Sequence, residues 1–466
     1  MFALLLRSET EFFEKTRFEV LVFFSKKLKP RILNTRQKPN FLKKLGVSLK
    51  TVFFYLTKKG NAIVSSPGKN SMKIESISLK NFKTFQSAEF KDIPPMCVIV
   101  GANGSGKSTL FEVFNFLKEA MKDNVQKALS KLGGFKEVVS RGHENEEIEL
   151  AIQFRMPIAN VQRLVTYRLQ ITLKNNQPII KREVLRYKRS RYGSPYHFLD
   201  FQYGKGYAIT NEADFDKPDE QLDREEQTLD SPNILAIKGL GQFKRFKAAN
   251  AFRQLIENWH ISDFHLNQAR QIQEDSYAEH LSRQGDNLSL VTKFIYENHP
   301  DIFAQILTKL SERVPGIQNV AAKTTEDGRV LLKFQDNAFK EPFLARSVSD
   351  GTLKMFAYLI LLHDPSPHPL LCVEEPENQL YPHLLYELAE EFRLYSLRGG
   401  QVMVSSHSPD FLNAVELDEI FWLVKKEGYT TIRRAKEVEL VSNLVKGGDK
   451  PGWLWEKGLF EGANPK

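Results

Sequence analysis

Cysteine is scarce in this chain, and the shortage closes off whole classes of protein. Only Cys97 and Cys372 occur in 466 residues, with neither the CxxC pattern nor the Cys/His spacing of a thiolate metal site. Two cysteines cannot form a disulfide scaffold, so a reducing, cytoplasmic compartment is expected. Long apolar runs are missing too. The longest pieces, such as Phe18 to Phe24 and Leu359 to Leu362, fall far short of the roughly 18 residues of a spanning helix, so no membrane partner is expected. Acidic residues are nearly absent from the front: residues 1–71 hold 15 Lys and Arg, 4 Glu and no Asp. That segment therefore carries +11 of a total of +9, which leaves the rest at −2. Overall basicity says nothing about the body of the protein. Residues 1–71 read as an extension translated from a start codon placed too early, with a basic arm or a targeting presequence as alternatives.

From Met72 the pattern becomes regular. Met96 to Val100 (MCVIV) is a continuous apolar run, as a strand buried on both faces requires. It leads into Gly101 to Thr109 (GANGSGKST), after which Leu110, Phe114, Leu117 and Met121 recur at helical spacing. Strand, glycine-rich loop and helix in that order let backbone N–H groups surround a phosphate at a helix N-terminus. Gly101, Asn103, Gly104, Ser105 and Gly106 are the candidate cradle. Lys107 is placed for the β and γ phosphates, Ser108 for Mg²⁺ and Thr109 for the α phosphate.

Three further segments carry chemistry. Leu370 to Pro382 (LLCVEEPENQLYP) is an apolar strand ending in acids: Glu374 is the candidate on the Mg²⁺ side and Glu375 the base that orients the attacking water. Glu377 reads instead as a cap of the helix that follows. Gln401 to His407 (QVMVSSH) is another apolar strand, with His407 placed to sense the γ phosphate. Ser347 to Thr352 (SVSDGT) opens an apolar helix, and Ser349, Asp350 and Gly351 stand at its N-terminus.

In this order the four segments resemble the ABC-class ATPases, and within them the RecF/SMC-like or OLD-like AAA ATPases of AbiEii type. MKIESISLKNFKTF resembles that group's opening strand, GGFKEVVSRG the loop after the phosphate-loop helix, GDNL (Gly285 to Leu288) a mid-chain marker, and GWLWEKGLFEG its C-terminus. The resemblance covers residues 72–466. It implies an α/β P-loop NTPase head with a mostly parallel central sheet; beside it, residues 148–210 alternate and are rich in β formers (IELAIQF, VTYRLQITL, YHFLDFQY), which suggests an antiparallel β subdomain, and the helical spacing from about 240 to 313 suggests an inserted helical arm. It also implies that Ser349, Asp350 and Gly351 act in trans, so that two ATP molecules with Mg²⁺ are sandwiched in a homodimer. Two departures exist: Glu374 stands where Asp is commoner, and SVSDGT lacks the double glycine of transporters. Gln268 is the candidate for the Gln that meets Mg²⁺ at the lobe boundary.

The expected organisation is an extension (1–71), an ATPase lobe with the antiparallel subdomain (72–210), an acidic loop and helical insertion (211–340), and a second lobe (341–466). Residues 211–232, with nine acids, read as a solvated loop. Phe243, Phe246, Phe252, Leu255, Ile256 and Trp259 mark a helical stripe that reads as core, with a partner surface as the alternative. Lys181, Arg182, Arg186, Lys188, Arg189 and Arg191, interleaved with Tyr187 and Tyr192, form a hairpin patch that could meet nucleic acid or simply be solvated. The function this implies is ATP hydrolysis coupled to dimerisation, in a phage-defence or toxin–antitoxin module with a separately encoded nuclease or toxin effector. The alternatives are RecF-like DNA repair or replication, and a nucleotide-gated scaffold with little turnover.

Overall fold

Alternating apolar positions build the first layer. The computed structural model describes residues 73–158, 161–187, 196–210 and 221–462. In chain order the first strands are β1 (Lys73–Phe82), β2 (Phe85–Phe90), β3 (Met96–Val100), β4 (Ile148–Ile158), β5 (Val161–Lys174), β6 (Gln177–Tyr187), β7 (Tyr196–Gln202), β8 (Lys205–Ile209) and β9 (Arg224–Thr228). All except β3 pair antiparallel in one sheet, ordered β2-β1-β4-β5-β6-β7-β8-β9. β9 lies inside the acidic segment expected to be a loop; it forms because an edge strand with charged, alternately exposed side chains needs only one partner.

β3 instead joins a second sheet with β10 (His260–Ser262) and strands from the C-terminal third. Between them lie β11 (Gln273–Glu274), β12 (Ile317–Thr324), β13 (Arg329–Asp336) and β14 (Phe343–Leu344), a small antiparallel sheet. Then come β15 (Leu370–Glu374), β16 (Gln401–Ser406), β17 (Ile420–Lys426) and β18 (Tyr429–Arg434). The central order is β10-β15-β16-β3-β17-β18, parallel except for the last pair. β3, β16 and the first four residues of β15 are fully buried, which is why they read as unbroken apolar runs. Both cysteines sit in these strands, and burial pushes both thiols up, so neither is a ready nucleophile. The buried Gln401 side chain fastens the two sheets together: its amide accepts from Ile74 N–H at 2.9 Å and donates to Ile74 C=O at 2.9 Å.

Six longer helices complete the layers: α1 (Lys107–Lys122), α2 (Lys247–Glu257), α3 (Leu288–Asn298), α4 (Pro300–Arg313), α5 (Asp350–Leu362) and α6 (Pro382–Leu397). The apolar stripe seen in sequence is in large part core. Phe252 of α2 stacks on Phe154 at 4.5 Å and leans on Tyr167, while Trp259 meets the edge of Phe114 on α1. α2 is therefore packed against the first lobe rather than projecting from it. Phe243 departs from the stripe: it precedes the helix and is 54% exposed. Farther on, buried Glu391 of α6 receives Lys309 and Arg313 of α4, tying the inserted helices to the core. α5 is buried from Thr352 to Leu362, as its apolar circumference demands. The fold is α/β, with a mostly parallel central sheet and an antiparallel subdomain. Residues 1–72, and with them the whole N-terminal extension, lie outside the described residues.

Candidate functional site

Parallel register decides what meets at the end of the central sheet. Glu374 pairs with Ser405, and Ser405 with Ile99, so β15, β16 and β3 end level with one another. The carboxylates, His407 and the glycine-rich loop therefore emerge side by side, although some 300 residues separate the first from the last.

The loop between β3 and α1 has the geometry of an anion cradle. A side chain at Gly101 would meet Ser105 Oγ at 2.3 Å, and Gly106 takes φ 103° as the cap of α1, a conformation that disfavours any other residue. Thr430 of β18 braces the turn, its hydroxyl donating to Ser105 C=O at 2.8 Å. Ser105 Oγ itself is buried and unpartnered. Lys107 is 6% exposed, and its ammonium donates to Gly101 C=O at 2.7 Å and Ala102 C=O at 3.3 Å. Burial lowers its pKa, while Glu375 and Glu377 act to keep it charged. Asn103, Gly104 and Ser108 are exposed and Thr109 half-buried, so the N-terminus of α1 opens outward.

On the facing strand Arg283 donates to Glu374 at 3.1 Å, and Ser108 at the start of α1 favours its charged form. Burial raises its pKa and nearby Asp263 adds to the rise, opposed by Ser108 and Arg283. Asp263 follows β10 directly and lies 4.0 Å from Arg283. Ser108, Glu374 and Asp263 offer hard oxygen donors, which suits Mg²⁺ rather than a thiolate-loving metal. The residues present thus fit both a triphosphate and its magnesium.

Glu375 stands at φ 41°, an uncommon conformation for a residue with a side chain. Its N–H donates to Ser405 C=O at 3.0 Å, and Asn378 Nδ2 donates to its carboxylate at 3.2 Å. His407 Nδ1 lies 3.5 Å from Glu375 and 3.4 Å from Glu377. Glu377 does not cap α6, whose N-terminus begins at Tyr381 without a side-chain cap. It turns the other way and accepts from Ser406 Oγ at 2.9 Å and His407 N–H at 2.8 Å, fixing the end of β16. Lys354 of α5, almost wholly buried, donates to Asn378 C=O at 2.7 Å, and burial pushes its pKa down to about 8.

Ser349 caps α5, its hydroxyl accepting from Thr352 N–H. Ser349 and Asp350 are exposed; Asp350 pairs with Arg270 at 2.6 Å, and a side chain at Gly351 would touch Gln379 C=O at 3.2 Å. This helix start therefore lies beside the turn that follows Glu375. Gln268 is half-buried on the short helix Leu266–Ala269, five residues after Asp263. Of the basic patch, Lys181 pairs with Glu147 at 2.5 Å and Arg182 makes a two-pronged pair with Asp200 at 3.0 and 2.7 Å. Both are neutralised within the fold. Arg186 lies on β6, and Lys188, Arg189 and Arg191 lie outside the described residues.

Arg283, Asp263 and Lys354 are the site residues that sequence reasoning missed. Only Arg283 left a trace, standing just before the GDNL marker.

A family model described as "AAA domain, putative AbiEii toxin, Type IV TA system" matches residues 96–413. Among solved structures, the Smc head bound to the C-winged helix domain of ScpA is similar at 13% identity and a TM-score of 0.48, over 77% of this chain and 97% of that one. An Smc head with an extended coiled coil, derived from Pyrococcus furiosus and bound to the C-terminal domain of ScpA, gives 14% and 0.44 over 81% and 100%. The SMC head domain from Thermotoga maritima gives 13% and 0.35 over 78% and 98%. No curated protein matches the chain.

Proposed function

The chain belongs to this AbiEii-type AAA-domain family, and we propose that it hydrolyses ATP with Mg²⁺ between two copies of itself. The observation that carries the reading is the level register of β3, β15 and β16, which brings the phosphate loop and the acid-bearing strand to one sheet end. Lys107 would exchange its two loop carbonyls for phosphate oxygens. Gly101 to Gly106 would supply backbone donors. Ser108 and Glu374 would hold Mg²⁺, whose charge offsets that developing on the phosphates. Glu375, oriented by Asn378 and by His407, would take the proton of the attacking water. Ser349 and Asp350, exposed at the start of α5, would complete the phosphate site of a second copy.

No helix among the described residues is long and apolar enough to cross a membrane. The biological output we propose is a toxin–antitoxin module, in line with the family description, or a defence module, with this chain as the ATPase and a separate chain as the effector. Turnover measured on the full chain tests the chemistry. Lys107→Ala should lose nucleotide binding and turnover together. Glu375→Gln should keep binding while turnover falls about 10²- to 10⁴-fold, the usual worth of a general base. Unchanged turnover in Glu375→Gln would remove Glu375 as the base, and binding without turnover in the parent chain would reduce the protein to a nucleotide-gated scaffold.

A further inference from the structure

At the far end of α5 from Ser349, three side chains outside the nucleotide site converge. His280, Asp364 and His368 place one ligand atom each within 4.8 Å of one another. Asp364 Oδ2 lies 2.7 Å from His280 Nδ1 and 3.9 Å from His368 Nε2, while its other oxygen accepts from Ser366 N–H at 2.8 Å. We propose that these three residues form a binding site for a zinc-class divalent cation, separate from the magnesium-type oxygens beside Lys107.

The protonation pattern is that of a metal-ready imidazole. His368 is 7% exposed, and its Nδ1 faces Asn258 C=O at 3.1 Å. A carbonyl can only accept, so Nδ1 carries the hydrogen. In the Nδ1–H tautomer that this carbonyl fixes, Nε2 is left with a lone pair. That atom is buried without a hydrogen-bond partner. Backbone fixing of one nitrogen while the other points at a shared carboxylate is how ligating histidines are held. At His280 the proton shared with Asp364 is what a metal would displace. Tetrahedral coordination at about 2.0–2.2 Å puts ligand atoms roughly 3.3–3.6 Å apart, so the 2.7 Å pair would open and the 3.9 Å pair would close.

The scaffold is stiff on both sides. Asp364 and His368 lie in the sequence Asp-Pro-Ser-Pro-His-Pro, in which Pro365, Pro367 and Pro369 fix the backbone. The backbone of His280 is pinned by Asn287, whose Nδ2 donates to His280 C=O at 2.9 Å and whose Oδ1 accepts from Ser282 N–H at 2.8 Å. His260 stacks on His368 at 4.7 Å, and Lys118 is the nearby positive charge that works against a cation. A cavity of about 190 Å³, lined by Glu279, His280, Phe294, His299 and Asp364 among others, gives an entry path and room for water as a fourth ligand. A bound metal would clamp the segment carrying Arg283, and hence the partner of Glu374, onto the end of α5.

The test uses the full chain stripped with chelator, without nucleotide and in excess Mg²⁺, titrated with Zn²⁺ in equilibrium dialysis and with Co²⁺ followed by its visible absorption. One equivalent per chain is expected, with tetrahedral Co²⁺ bands. His280→Gln, Asp364→Asn and His368→Gln should each weaken binding at least about tenfold, and His299→Gln should not. If the buried variants lose their circular-dichroism signature, the half-exposed His280→Gln decides. No stoichiometric binding, or parental affinity in folded His280→Gln, would overturn the proposal.

Discussion

Lys354 shows how a buried charge is spent on position. Its ammonium holds the Asn378 carbonyl in the turn after Glu375, yet burial has dragged its pKa from 10.5 down to about 8. The depressed value means the folded state binds the proton less well than the unfolded chain does. The resulting cost is complete below pH 8, on the order of 3 kcal/mol at most, and fades as the pH rises from about 8 to 10.5. Lys354→Met should therefore be more stable than the parent at pH 7, with an advantage in chemical denaturation that shrinks toward pH 10. The same variant should turn over ATP more slowly because the turn is released. Residues of this kind were invisible in the sequence. Lys107 was legible because loop, strand and helix are contiguous around it. Asp263 and Arg283 meet Glu374 from about 110 and 90 residues away, and nothing local marks them. Glu377 was visible but misassigned: an acid before a helix ordinarily caps it, and here two donors at the end of β16 compete better.

Among the elements, strands with one clear environment were the readable ones. The apolar runs of β3, β15 and β16 announced double burial, and alternation in β4 to β7 announced a one-sided sheet. β9 gave no such signal, since its REEQT sequence is that of a solvated edge. The C-terminal helix Pro451–Glu456 rests on the Pro409–Asn413 helix by close backbone approach: a side chain at Gly452 would come within 1.9 Å of Pro409 C=O. That carbonyl is backbone and cannot swing aside. Gly452→Ala should therefore lower stability by about 1–3 kcal/mol, the range of overpacked cores, and should loosen the helix that immediately follows His407 and Ser408. A melting-temperature shift together with a weaker nucleotide response would be the signature. An unchanged melt would show that the two helices slide apart freely.

For the molecule as a whole, the proposed dimer turns on the exposed cap of α5. A mixing experiment separates action in cis from action in trans. Lys107→Ala lacks the phosphate lysine and Ser349→Arg blocks the helix start, so each alone should be inactive. In an equimolar mixture half the dimers are mixed, and each mixed dimer has one intact composite site. About a quarter of the parental turnover should return if two-fold exchange is free. Failure to recover any turnover from variants that still dimerise would place Ser349 and Lys107 in the same site of one chain.

The position of β3 also constrains how the molecule comes into being. Both of its neighbours arrive late: Met96 pairs with Val402 and Val98 with Ile420, so more than 300 residues must be synthesised before either edge is covered. At about 5–20 residues per second on the ribosome, the MCVIV segment waits roughly 15–60 s with its hydrogen-bonding edges unclaimed. During that interval the antiparallel subdomain, whose strands all lie between Lys73 and Thr228, can mature alone. The nucleotide-binding end is the last part of the polypeptide to acquire its shape.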